Sequence, residues 1–261
     1  MTAYTCNPDN SLPLCSIVIP VYKSTESLVE IADQVKELAK TTGYDLELIF
    51  VNDSPSFLPT SNALNEVAKK HGYVTVIELR KNQGQHMATI VGMGFARGEY
   101  VINMDDDLQH PVKEIPKLIK AMQENPSLDA IFAVPGFENR KHSWWKVLGS
   151  YARTKIDTIF LNVPKELVKS SFRIMTKRMA ILLTENYNAT PSVSSLIVYY
   201  TQRVKNITVE HHPRPYGKSS YSFGRLFSLS LNNILHYSAF PLKMVGIIGL
   251  TTFIFTIGFV G

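Results

Sequence analysis

Four stretches, CSIVIPVY (15–22), LELIFVND (46–53), VTVIEL (74–79) and YVINMD (100–105), are apolar almost without interruption. A strand with one wet face alternates apolar and polar residues, whereas a continuous run suits a strand covered on both faces, as in a parallel sheet between two layers of helices. Helical patterns separate the runs. In SLVEIADQVKELAKTTG, Leu28, Ile31, Val35 and Leu38 recur on one face and Gly43 closes the segment. Further helices are expected near 60–70 and 86–97. The order βαβαβαβ predicts an α/β fold, an open and mainly parallel sheet with helices on both faces. With 261 residues, 45% of them hydrophobic, the chain can bury one large core, or one domain with a small appendage.

Open sheets of this kind bind ligands outside the carboxyl ends of their strands. The polar residues there are Tyr22, then Asn52 and Asp53, then Arg80 and Asn82, and last Asp105, Asp106 and Asp107. Asp53, ahead of Ser54 and Pro55, could simply make a turn. Three adjacent aspartates are harder to place, because like charges gathered at a strand tip raise its free energy. Asp105 and Asp107, two residues apart, project the same way from an extended segment. They can share a hard divalent cation, Mg2+ or Mn2+, which takes few protein oxygens and leaves sites for phosphate. Gln109 offers a third oxygen. The alternative is that the aspartates cap a helix beginning near Val112 with Pro111 at its start, although one would suffice.

The formal net charge is +5, and the surplus lies in the second half. Residues 140–178 hold ten Lys or Arg against Asp157 and Glu166, and no acid follows Glu210. Such a surface suits an anionic lipid, a nucleic acid or a phosphorylated ligand. Cys6 and Cys15 have no metal-type spacing, which fits a reducing compartment, and the N-terminus has no signal-peptide pattern. From Met244 to Gly261 the chain is uncharged and mostly apolar, just long enough to be expected as a membrane helix. HSWWKVLGSYARTKIDTIFL mixes Trp144, Trp145, Leu148, Ile156, Ile159 and Phe160 with Lys146, Arg153 and Lys155, a composition suited to a headgroup interface or to an amphipathic core helix.

The segments SIVIPVYKSTESL, IFVNDSP, NQGQHMATIVGMGFARGEYVINMDDDLQHP, SSFRIM and HHPRPYGKSSYSFGRL occur in an order and spacing similar to those of family 2 glycosyltransferases of the GT-A fold. Within that family the chain resembles the polyisoprenyl-phosphate glycosyltransferases, and GQH with YGKSSYSF makes it more similar to the undecaprenyl-phosphate aminoarabinose transferase branch. The resemblance covers residues 15 to about 260. It implies a GT-A catalytic domain over 1–222, an interfacial helix over 223–240 and the start of a membrane region over 241–261. It also implies an inner-membrane enzyme with a cytoplasmic catalytic domain that inverts the sugar on transfer from a nucleotide diphosphate, UDP favoured over GDP, to undecaprenyl phosphate. Nucleic acid is then not a partner, and a homo-oligomer stays open.

Carried onto this chain, the resemblance places Pro20, Tyr22, Glu26 and Asp53 around the base and ribose, with Gln85 and Asp105 also on the donor. Asp105, Asp107 and Gln109 serve the metal and the diphosphate, whose leaving-group charge a divalent cation stabilises. Asp107, Arg173, Arg214 and Lys218 form the set expected at the reacting phosphates, and Gly217 lets the loop of Lys218 close over them. One departure stands out: Ser170 and Ser171 precede Phe172 and Arg173 where some relatives carry an acid taken as the acceptor's base. A lipid phosphate, largely ionised near neutral pH, needs no such base. A processive polysaccharide synthase would require a Gln-x-x-Arg-Trp motif, but the only tryptophans are Trp144 and Trp145. A different acceptor, or a catalytically silent membrane scaffold, are the remaining alternatives.

Overall fold

The computed structural model describes residues 2–4, 15–136, 166–186, 191–213 and 240–260. The chain divides into two compact units, one of residues 1–141 and 167–218 and one of residues 142–166 and 219–261.

The first unit is built on one eight-stranded sheet in the order β1-β4-β3-β2-β5-β7-β6-β8. The strands are β1 (Thr2–Tyr4), β2 (Cys15–Val21), β3 (Leu46–Asn52), β4 (Val74–Glu78), β5 (Tyr100–Asn103), β6 (Ala130–Pro135), β7 (Arg173–Thr176) and β8 (Val204–Val209). Strands β4, β3, β2 and β5 run parallel, as the four apolar runs require, and every residue of β2 and β3 is buried. The antiparallel edge strand β1 and the second half of the sheet were not evident from the sequence. There β7 enters antiparallel between β5 and β6, and β8 returns parallel to β6.

Helices α1 (Glu26–Thr42), α2 (Leu58–Lys70) and α4 (Ile115–Glu124) cover one face. Leu28, Ile31 and Val35 of α1, Leu64 and Val67 of α2, and Leu118, Ile119 and Met122 of α4 pack there with Ile17, Ile19, Phe50, Ile102 and Ile174 of the sheet. Gly43 ends α1 in the left-handed region, φ 70°, its N–H donating to the Ala39 carbonyl at 2.9 Å. On the other face lie α3 (Gln85–Met93), α5 (Lys177–Thr184) and α6 (Val193–Tyr200). Helix α3 reaches the sheet through Gly92, where a Cβ would fall on Val18 Cγ1 and, at 2.8 Å, on Val51 Cγ2.

The aspartates cap no helix. A 3-10 turn, Val112–Glu114, precedes α4 with Pro111 at its cap position and no side-chain cap bond.

Of the second unit the structure describes Glu166 and α7 (Phe240–Val260), with side chains over 244–259. Large apolar residues of α7, among them Ile247, Leu250, Phe253, Ile254 and Phe259, are exposed. The expected membrane span is not seen as such, since among the described residues no helix is long and apolar enough to cross a membrane. The interfacial stretches 142–161 and 223–239 lie outside the described residues.

Because α3 carries Gln85 at its first turn, its seat on the sheet sets part of the site. Gly92→Ala should overpack that seat and destabilise the protein by about 1–3 kcal/mol, read as a lowered urea midpoint with an unchanged slope. An unaltered midpoint would mean that Val18 and Val51 yield without strain.

Candidate active site

The carboxyl ends of β2, β3, β4 and β5 meet along one edge, and the polar residues expected there are all found there. Asn52 is fully engaged: its amide donates to Ser61 Oγ at 3.0 Å and Glu78 Oε1 at 3.1 Å, and its Oδ1 accepts from the Ser54 N–H at 2.9 Å. Asp53 is buried, 2% exposed, and accepts from the Gln83 N–H at 2.6 Å, the Gly84 N–H at 2.8 Å and Asn82 Nδ2 at 3.1 Å. The Asp53 carboxylate therefore shapes the loop leading into α3, including Gly84 at φ 84°, a conformation that suits glycine. Burial pushes the Asp53 carboxyl up, against the pull of those two N–H donors.

On β2, Pro20 is buried, Tyr22 is 55% exposed and Glu26 is exposed at the start of α1, accepting from Thr25 Oγ1 at 2.5 Å. Lys23 has φ 59° and its ammonium lies 5.3 Å from the Tyr22 ring centroid. Among the described residues the other non-glycine residue at positive φ is Leu108, at 58°, inside the aspartate loop. Two such residues flanking one edge mark backbone held in place by its surroundings.

The three aspartates have three different environments. Asp105 accepts from Gln85 Nε2 at 2.5 Å and Ser171 Oγ at 2.6 Å, one donor to each oxygen. Asp106 accepts from the Tyr22 N–H at 3.3 Å and from Ser24, and burial with the charges of Asp105 and Asp107 pushes its carboxyl up to about 6. Asp107 accepts from the Gln109 N–H at 3.1 Å, and its charge acts on His110 and His211, opposing the lowering that burial gives both imidazoles.

Arg173 is buried, 2% exposed, rather than presented on the surface. Its Nε donates to Asn103 Oδ1 at 3.1 Å, and its Nη1 to the Ser170 carbonyl at 3.2 Å and Ser194 Oγ at 2.6 Å. Burial lowers the guanidinium to about 10, and the Asp105 charge opposes that shift. Its positive field reaches the edge through Asp105, while its planar fork ties β5, β7 and α6 together. Arg214, Gly217 and Lys218 lie outside the described residues.

Sequence reading missed the histidines. His86, on the first turn of α3, is pushed down to about 4 by burial and then by the charges of Arg173 and Lys169. His110 is buried, stacks on Phe172 with centroids 4.9 Å apart and meets His211 edge-on at 5.2 Å. GQH and LQHP display His86 and His110 in the sequence, but only the return of β8 brings His211 to Asp107. An open groove of about 810 Å³ lies behind the loop between α1 and residues 108–113, floored by Leu108, Pro111 and Val112, and none of the aspartates lines it.

Among the described residues no three His, Cys, Asp or Glu side chains form a ready metal cage. Asp105, Asp107 and Gln109 are nonetheless oxygen donors on one loop, and Mg2+ or Mn2+ is commonly held by one or two carboxylates with the ligand's phosphates completing the shell. The residues present fit such an ion.

The sequence pattern of one family, Glycosyl transferase family 2, matches residues 16–182. The chain belongs to that family. It is a glycosyltransferase, and solved structures of other glycosyltransferases share its fold. A mannosyltransferase from Pyrobaculum calidifontis, solved with GDP-Man and Mn2+, is 16% identical with a TM-score of 0.54; the match covers 77% of this chain and 56% of that one. Glucosyl-3-phosphoglycerate synthase from Mycobacterium tuberculosis, solved with Mn2+, UDP-Glc and phosphoglyceric acid, is 13% identical with a TM-score of 0.57 over 85% of this chain and 79% of its own. Mannosyl-3-phosphoglycerate synthase from Rubrobacter xylanophilus is 14% identical with a TM-score of 0.59 over 90% and 75%. At these identities the likeness is one of fold.

The buried imidazole at the glycosyltransferase's aspartate loop gives a pH prediction. Burial and His211 push His110 down to about 4, so between pH 6.5 and 4 the unfolded chain binds a proton there that the folded chain does not. The stability due to neutral His110 is complete above its ordinary pKa and is lost as pH falls through that window. In metal-free buffer, wild type should lose stability relative to His110→Gln by about 1.4 kcal/mol per pH unit, measured by urea unfolding at pH 7, 6 and 5. Parallel slopes for the two proteins would show that His110 takes up its proton as readily in the fold as in the unfolded chain.

Proposed function

We propose that this family 2 glycosyltransferase transfers a sugar, with inversion, from a nucleotide diphosphate donor to a polyisoprenyl phosphate at the cytoplasmic face of the inner membrane. The observation that carries the reading is the loop after β5, where three carboxylates in distinct environments stand beside the buried charge of Arg173. Pro20 and Tyr22, at the end of β2, are assigned to the base and ribose, and UDP is the favoured donor. Asp53 acts on the donor indirectly, by building the loop that presents Gln85. Asp105, Asp107 and Gln109 would hold Mg2+ or Mn2+, and such an ion would supply Lewis-acid stabilisation of the charge developing on the diphosphate.

The acceptor's phosphate oxygen attacks the anomeric carbon as the bond from that carbon to the diphosphate oxygen breaks. No proton must be removed, because a phosphomonoester is largely ionised near pH 7. The residue at 171 supports this: the Ser171 hydroxyl donates to Asp105 rather than standing as a base. Arg214 and Lys218 are proposed to neutralise the two phosphates.

Helix α7 supports the lipid. Its sequence contains Lys243 and no acid, and its described large apolar side chains are exposed, a surface suited to contact with lipid. The basic surplus of residues 140–178 suits the cytoplasmic leaflet. A second reading, transfer to a small soluble phosphate, is favoured by the phosphoglyceric acid bound in the mycobacterial synthase.

Asp107→Ala should abolish transfer while leaving the melting temperature within a few degrees of wild type, since it removes a carboxylate from a loop and not a core side chain. The assay pairs UDP- and GDP-sugars with undecaprenyl phosphate, 3-phosphoglycerate or unphosphorylated polyprenol in Mn2+. Turnover is expected with undecaprenyl phosphate alone. Turnover with 3-phosphoglycerate would establish the soluble acceptor, and glycosylation of the neutral polyprenol at a comparable rate would require a protein base and overturn the mechanism.

A further inference from the structure

We propose that Ser171 is a positioning residue for donor binding, and that it works by holding the Asp105 carboxylate in a single orientation together with Gln85. The inference rests on the nucleotide-sugar reading above and adds a residue to it.

The geometry is a clamp. Gln85 Nε2 donates to Asp105 Oδ1 at 2.5 Å and Ser171 Oγ to Oδ2 at 2.6 Å. The donors come from opposite sides in sequence: Gln85 opens α3, twenty residues before Asp105, and Ser171 precedes β7, sixty-six residues after it. An exposed aspartate samples several rotamers, and ordering one costs binding free energy each time a ligand is taken up. A carboxylate gripped at both oxygens has already been ordered by folding.

Both donors are themselves anchored. Gln85 follows the loop that Asp53 fixes through the Gln83 and Gly84 N–H groups. Ser171 sits between Ser170, whose carbonyl accepts from Arg173 and whose Oγ accepts from the Phe172 N–H, and Phe172, which is fully buried against His110. The clamp thus fastens the loop after β5 to both neighbouring segments. A serine serves here because a hydroxyl can donate to the carboxylate, which a carboxylate in its place could not do when ionised.

The experiment titrates the full-length protein with UDP and with GDP in Mn2+ by calorimetry, and measures steady-state kinetics with varied donor. Ser171→Ala should weaken nucleotide binding by about tenfold, the loss of one charge-assisted hydrogen bond, with the loss falling on KM for the donor rather than on kcat. Ser171→Thr keeps the hydroxyl and should restore affinity to within about threefold. Ser171→Asp should bind more weakly than Ser171→Ala, because an ionised carboxylate repels Asp105 instead of donating to it. Melting curves of all three near wild type establish that they fold. Unchanged affinity in Ser171→Ala, or failure of Ser171→Thr to rescue it, overturns the inference alone. If the wild-type protein binds neither diphosphate, the glycosyltransferase reading falls and the inference falls with it.

Discussion

The site depends on a buried guanidinium. Arg173 opens β7 in register with Asn103, the last residue of β5, and bonds to it across the strand pair. A charge taken out of water must be compensated by nearby acceptors, and Arg173 has a carbonyl, an amide and a hydroxyl within reach, with Asp105 in its field. Removing it would take the guanidinium donor from Asn103 Oδ1 and Ser194 Oγ and its positive charge from Asp105. Arg173 is therefore both a structural strut and the electrostatic reason that acids can gather at the end of β5.

The answer to how three adjacent aspartates coexist is that each is treated differently. Asp105 is gripped by two side-chain donors, Asp106 is turned inward toward Ser24 and the Tyr22 N–H, and Asp107 accepts from the Gln109 N–H. Burial and the charges of Asp105 and Asp107 raise the Asp106 carboxyl to about 6, so part of the repulsion along the loop is relieved as pH falls toward that value. Division of this kind gives one residue type three different local environments on one loop.

Much of the first half was legible in the sequence because its signals are local. Strands over 15–22, 46–53, 74–79 and 100–105 are found within one or two residues, since burial on both faces leaves a continuous apolar run. Strands β6, β7 and β8 were missed: β7 has four residues, and β8 is a sheet edge with intermediate and exposed positions that break the apolar run. The site divides the same way. Aspartates at a strand tip announce themselves, but the burial of Arg173, the use of Asp53 as a loop anchor and the bond from Ser171 to Asp105 are long-range facts. Spacing along the chain could nominate those residues without showing which way they turn.

The insertion of β7 between β5 and β6 has a consequence for the order in which the molecule assembles. Strand β6 is synthesised before β7 yet cannot pair with β5, so the sheet has an incomplete seam until residue 173 emerges. Until then the nascent chain holds an acidic tip whose compensating arginine and serine do not yet exist. Pairing of Asn103 with Arg173 closes a long stretch of chain, the kind of contact that forms late and limits folding rate. Closing the seam and organising the carboxylates are one event, so a partly folded chain has no competent donor site to present.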